Sequence, residues 1–99
     1  MSNQTIRVVA RIVAIAEKLD AVRAILIELI EPTCQEEGCI KYELLQNQAD
    51  STDFTFVEEW SSNAALDAHL ASNHIAAAGD KLKGLIAFEP DIRRYKLLA

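Results

Sequence analysis

Residues 54–74 read FTFVEEWSSNAALDAHLASNH. Strict alternation places Phe54, Phe56, Glu58 and Trp60 on one face of a strand and Thr55, Val57 and Glu59 on the other. Ser61 and Ser62 stop that strand, and either can cap a following helix. In the helix, Leu66, His69 and Leu70 fall at i, i+3 and i+4, so His69 lies on the apolar stripe. Asn73 is the expected cap of a second helix, with His74 in its first turn. One strand-to-helix junction thus collects a glutamate, both histidines of the chain and its single tryptophan. A polar cavity, if the fold has one, belongs here.

Working outward, residues 6–15 (IRVVARIVAI) form a β-branched run interrupted only by Arg7 and Arg11. A strand apolar on both faces is a central strand, and its two arginines need acidic partners or water. Residues 17–31 carry Leu19, Val22, Ile25, Leu26, Leu29 and Ile30 at helical spacing, with Pro32 weakening the end and Gly38 suited to a turn. Residues 39–46 alternate Ile40, Tyr42 and Leu44 against Lys41 and Glu43. The polar segment 47–53 joins them to the strand 54–60 as a hairpin. Helices are expected over 62–71 and 74–85, and a last strand over 91–98. The order β-α-β-β-α-β is the ferredoxin-like, α+β pattern, with residues 1–99 as one domain. Right-handed crossovers put the first and third strands in the middle of a four-stranded antiparallel sheet, helices on one face. The other face needs cover, which a second copy would supply as a homodimer of the dimeric α/β-barrel kind.

Composition narrows the function classes. The chain has 99 residues, 51% hydrophobic, and a net charge of −5. Its cations are scattered, so the clustered basic surface that nucleic acid requires is missing. No apolar run approaches the ~20 residues of a membrane span, and the N-terminus lacks the pattern of a signal peptide. A cytoplasmic protein is expected. Cys34 and Cys39 read as free thiols rather than metal ligands. The spacing shows no phosphate loop, no Ser/His/Asp order and no metal-ligand set, so neither cofactor nor metal is expected.

Three blocks carry a resemblance: residues 37–44 (EGCIKYEL), 56–60 (FVEEW) and 65–74 (ALDAHLASNH). In this order and spacing they are similar to the antibiotic biosynthesis monooxygenase (ABM) domain, in particular its small quinol-monooxygenase-like members. The resemblance covers nearly the whole chain. It implies the ferredoxin-like fold, a homodimer, and cofactor-independent oxygenation of a quinol or similar polyphenolic aromatic substrate by O2. Haem-degrading relatives carry a tryptophan and a histidine at positions that correspond to His69 and Gly79 here, so haem degradation is not implied. Ile75 stands where the family commonly has phenylalanine. The superfamily also includes an isomerase of a small phosphorylated ketone and members without known activity, which leaves an isomerase or a non-catalytic ligand-binding dimer as alternatives.

Five residues are candidates for the site. His74, in a helix first turn, would tend to stay neutral there and could accept a phenolic proton; the competing reading is a surface histidine capping its own helix. His69 could act as the base or be a satisfied core histidine. Trp60 and Tyr42 could wall an aromatic pocket, or belong to ordinary core. Glu58 is expected to pair with Arg7 or Arg11 on the neighbouring strand as a structural or dimer-interface ion pair, with a catalytic base or a substrate-binding group as the alternatives.

Overall fold

The computed structural model describes residues 5–99; the first four residues of the N-terminus, part of the stretch read for a signal peptide, lie outside them. Strand β1 (Ile6–Val13) leads through a short 3-10 turn at Ala16–Lys18 into helices α1 (Leu19–Glu28) and α2 (Ile30–Cys34). Strands β2 (Cys39–Gln46) and β3 (Asp53–Trp60) form the hairpin, followed by α3 (Asn63–Leu70), α4 (Asn73–Leu82) and β4 (Asp91–Tyr95). The four strands are antiparallel in the order β2-β3-β1-β4, so β1 and β3 are central as the ferredoxin-like pattern requires. Among the described residues no helix is long and apolar enough to cross a membrane.

The two faces of the sheet differ sharply. Val8, Ala10 and Ile12 of β1 and Phe54, Phe56, Glu58 and Trp60 of β3 point inward, where Val22, Leu26, Leu66, Ala78 and Leu82 of the helices cover them. The opposite parity of β1, with Arg7, Val9 and Arg11, forms the outer face. Register explains why the pairing expected for Glu58 does not form. Val8 lies opposite Glu58, whereas Arg7 lies opposite Glu59, so both arginines are on the wrong side of the sheet for Glu58. Arg7 instead lies 3.6 Å from Glu59, and Arg11 donates to Asp53 at 2.9 Å.

Other boundaries shift for local reasons. The helix expected over 17–31 breaks at Leu29, because Pro32 has no N–H to give and its ring crowds the carbonyl four residues back. A register shift between Cys39 and Lys41 inserts one extra residue, which leaves Ile40 exposed rather than inward with Tyr42. The cap of α4 is Ser72, not Asn73: its hydroxyl accepts from the Ile75 N–H, as Ser62 does from Ala65 at the start of α3. The last strand ends at Tyr95 instead of Leu98.

Candidate active site

Between α2 and β2 the chain turns through Gly38, whose φ of +89° lies in the left-handed region that favours glycine. The turn also presses against α3, since a Cβ on Gly38 would stand 2.6 Å from the Ala65 Cβ. The Gly38 carbonyl accepts from the Ser61 N–H at 2.8 Å, tying the turn to the end of β3. This close approach brings Glu36 over the two helices that carry the histidines. Glu36 Oε2 lies 2.6 Å from His69 Nδ1 and 2.9 Å from His74 Nε2. A carboxylate only accepts, so both ring nitrogens donate to it, and the proton-free nitrogen of a neutral His69 is Nε2.

The remaining candidates pack around His69. Its ring is tilted against Trp60 with centroids 4.6 Å apart and meets Tyr42 edge-on at 5.5 Å. Tyr42 in turn stacks on Phe56 at 4.7 Å. The indole Nε1 donates to Glu58 Oε1 at 2.8 Å, which is the partner Glu58 finds in place of an arginine. Burial pushes the Glu58 carboxyl up, against the Trp60 bond and the charge of His69, which favour its ionised form. Burial, reinforced by Glu58, also holds the Tyr42 phenol far above its ordinary range, so it stays protonated. Thr33 Oγ1 is near enough to that phenol to ease the shift, yet it is buried without a partner of hydrogen-bond geometry.

An apolar cavity of about 130 Å³ lies between the sheet and helices α1, α3 and α4. Tyr42, Glu58 and His69 are the groups on its wall able to hydrogen-bond through their side chains; Phe56, Leu66 and Leu82 are among the apolar ones. Three of the five sequence candidates therefore converge. Trp60 is fully buried behind His69 and does not line the cavity. His74 is in the first turn of α4 as expected, but it borders a separate hollow with Glu28 and Lys81. Its link to the cavity runs through Glu36.

Glu36 escaped the sequence reading. It is 33 and 38 positions from the histidines it joins, in a segment whose visible signal is only a turn. The expectation of no metal-ligand set also needs qualifying, because Glu36, His69 and His74 present ligand atoms that all lie within 4.8 Å of one another. The cysteines are free thiols, and burial, with Cys34 nearby, pushes the Cys39 thiol up to about 11, which leaves it unreactive at neutral pH.

The family profile of the antibiotic biosynthesis monooxygenases matches residues 5–81. An uncharacterised Synechocystis protein, sll1783, is 34% identical over 69% of this chain, which spans only 46% of that relative's length. Rv0793 of Mycobacterium tuberculosis is 36% identical over 70% of this chain and 67% of its own. Among solved structures, PA3566 of Pseudomonas aeruginosa superposes with a TM-score of 0.91 at 29% identity, covering all of this chain and 98% of the other. The chain belongs to the antibiotic biosynthesis monooxygenase family.

Proposed function

We propose that the protein is a cofactor-independent monooxygenase that oxidises a quinol or similar polyphenol with O2. The observation that carries this reading is the His69 ring, which lines an apolar cavity while Glu36 holds its Nδ1 at 2.6 Å. A base whose far nitrogen is tied to a carboxylate keeps one tautomer and gains a counter-charge when it takes a proton. The family, and the monooxygenase name provisionally given to Rv0793, agree in reaction class.

The chemistry balances without an added redox group. His69 Nε2 takes the phenolic proton, and the anion passes one electron to O2, giving a ring radical and superoxide. These combine in a C–O bond, and His69 returns its proton to the resulting peroxide. Loss of the ring C–H proton with the distal hydroxide breaks the O–O bond and releases water. One oxygen stays on the ring as a hydroxylated quinone, and the quinol has supplied every electron. Glu58 and the Tyr42 phenol are the groups on the wall that can orient the second hydroxyl.

Size favours a single ring. The cavity is close to the ~150 Å³ void that admits benzene in an engineered protein core, so a fused bicyclic substrate would need it to open. The isomerase alternative is weaker, because neither lysine nor arginine is among the lining residues to hold a phosphate. Oxygen uptake with monocyclic hydroquinones by metal-free protein tests the reading. His69→Gln should lower turnover about 10²-fold or more, as expected for a lost general base. No uptake across a panel of quinols, or full turnover in the variant, would overturn it.

The same proposal includes a homodimer joined through the outer sheet face. Val9, Leu45 and Tyr95 remain substantially exposed there, and Leu97 and Leu98 follow β4 without cover. Arg7 Nε is buried on that side with no hydrogen-bond partner among the described residues. Light scattering should give twice the 11.0 kDa chain mass; a monomer at micromolar concentration would exclude this assembly.

A further inference from the structure

We propose that Glu36 Oε2, His69 Nδ1 and His74 Nε2 form a three-ligand site for a zinc-type divalent transition-metal ion. The three donors come from the α2–β2 turn, α3 and α4, and they lie within 4.8 Å of one another. Two imidazoles and one carboxylate are the donor set that zinc uses where three protein ligands leave a fourth position open. Metal–ligand bonds of about 2.0–2.2 Å would set these donors roughly 3.2–3.6 Å apart. The carboxylate oxygen now stands 2.6 and 2.9 Å from the two nitrogens, so binding asks each His–Glu pair to part by about 1 Å or less. The ion would replace the two protons that Glu36 now shares with the rings.

Access fits as well. His69 is buried, but the His74 and Glu36 side chains are 25% and 18% exposed, which gives an ion a route in and an open side for water. The hollow beside His74 is bordered by Glu28 and Lys81, 3.5 Å apart, which offset each other's charge and leave Glu36 as the acidic group of the site. The site goes beyond the oxygenase reading, and its test needs no turnover.

Metal-free full-length protein is titrated with Zn2+ by calorimetry, and with Co2+ by visible absorption. One ion per chain should bind, with a dissociation constant in the micromolar range or tighter. Glu36→Gln and His74→Ala change partly exposed positions and should remain folded by circular dichroism. Each should weaken binding by more than about a hundredfold, beyond the 10–100-fold typical of losing an outer partner. The Cys34→Ser, Cys39→Ser double variant should bind like the parent. No binding in the parent, unchanged affinity in Glu36→Gln or His74→Ala, or a cobalt–thiolate absorption band that the serine variant abolishes would each overturn the site.

Discussion

Glu58 and Glu59 are neighbours on β3, and the sheet sends them to opposite fates. Glu58 enters the inner face, where Trp60 is its hydrogen-bond donor and burial pushes its carboxyl up. Glu59 stays outside, where it accepts from Thr5 Oγ1 at 2.8 Å and lies near Arg7. The outer face also carries the Arg11–Asp53 pair at 2.9 Å, open to solvent. Arg11 and Asp53 find each other there, and water screens whatever the pair gains. On the inner face Glu58 and His69 each have one fixed partner, Trp60 and Glu36, so the geometry of those partners decides what each group can do. The candidate chemistry sits on the inner face for that reason.

The sharpest way to disturb this difference is at the turn that covers the inner face. Gly38→Ala forces a left-handed conformation on alanine and drives its Cβ into Ala65. It should cost about 2–4 kcal/mol in urea unfolding, combining the backbone and crowding terms. A cost near zero would show that the turn is not pressed against α3. His69→Ala comes next: it removes the Trp60 contact and the Glu36 bond from the core, for a loss of roughly 1–3 kcal/mol in the same assay. Unchanged stability would mean that the inner network contributes no more than the outer pairs.

Glu58→Gln tests the sign of the inner electrostatics. A carboxyl raised by burial binds its proton more tightly in the folded state, so its ionised form weakens folding at neutral pH. That penalty fades as pH falls through the raised value and is gone below the unfolded value of 4.5. The variant, whose amide oxygen can still accept from Trp60, should therefore be more stable than the parent at pH 7, with the gain shrinking on acidification. A gain independent of pH, or a loss at pH 7, would contradict the assignment. The smallest effect is expected outside. Arg11→Ala should barely move the melting temperature, and the shift should vanish in high salt. A large, salt-resistant loss would instead indicate that a partner copy buries Arg11.

Much of this molecule is written in local patterns. Alternation along residues 54–60 assigned Phe54, Phe56, Glu58 and Trp60 to one face, and the structure buries all four there. The 3.6-residue spacing of Leu66 and His69 likewise placed both against the sheet. Such readings succeed because period and burial are set by neighbours a few residues away. The order of elements then left few ways to arrange four strands and their covering helices. Pairings across the fold were another matter. The choice of Arg7 or Arg11 for Glu58 failed on a register parity that no single strand reveals.

Local pattern carries the βαββαβ order, the faces of β1 and β3, and the junction where both histidines gather. Contacts across the fold bring Glu36 between those histidines, turn His69 rather than His74 to the cavity, and make Trp60 the partner of Glu58. The physical reason is distance along the chain. A periodic pattern reports which side of its own element a residue occupies, but the meeting of Glu36 with His69 depends on Gly38 letting a turn close onto a helix 27 residues further on at Ala65 (38 to 65).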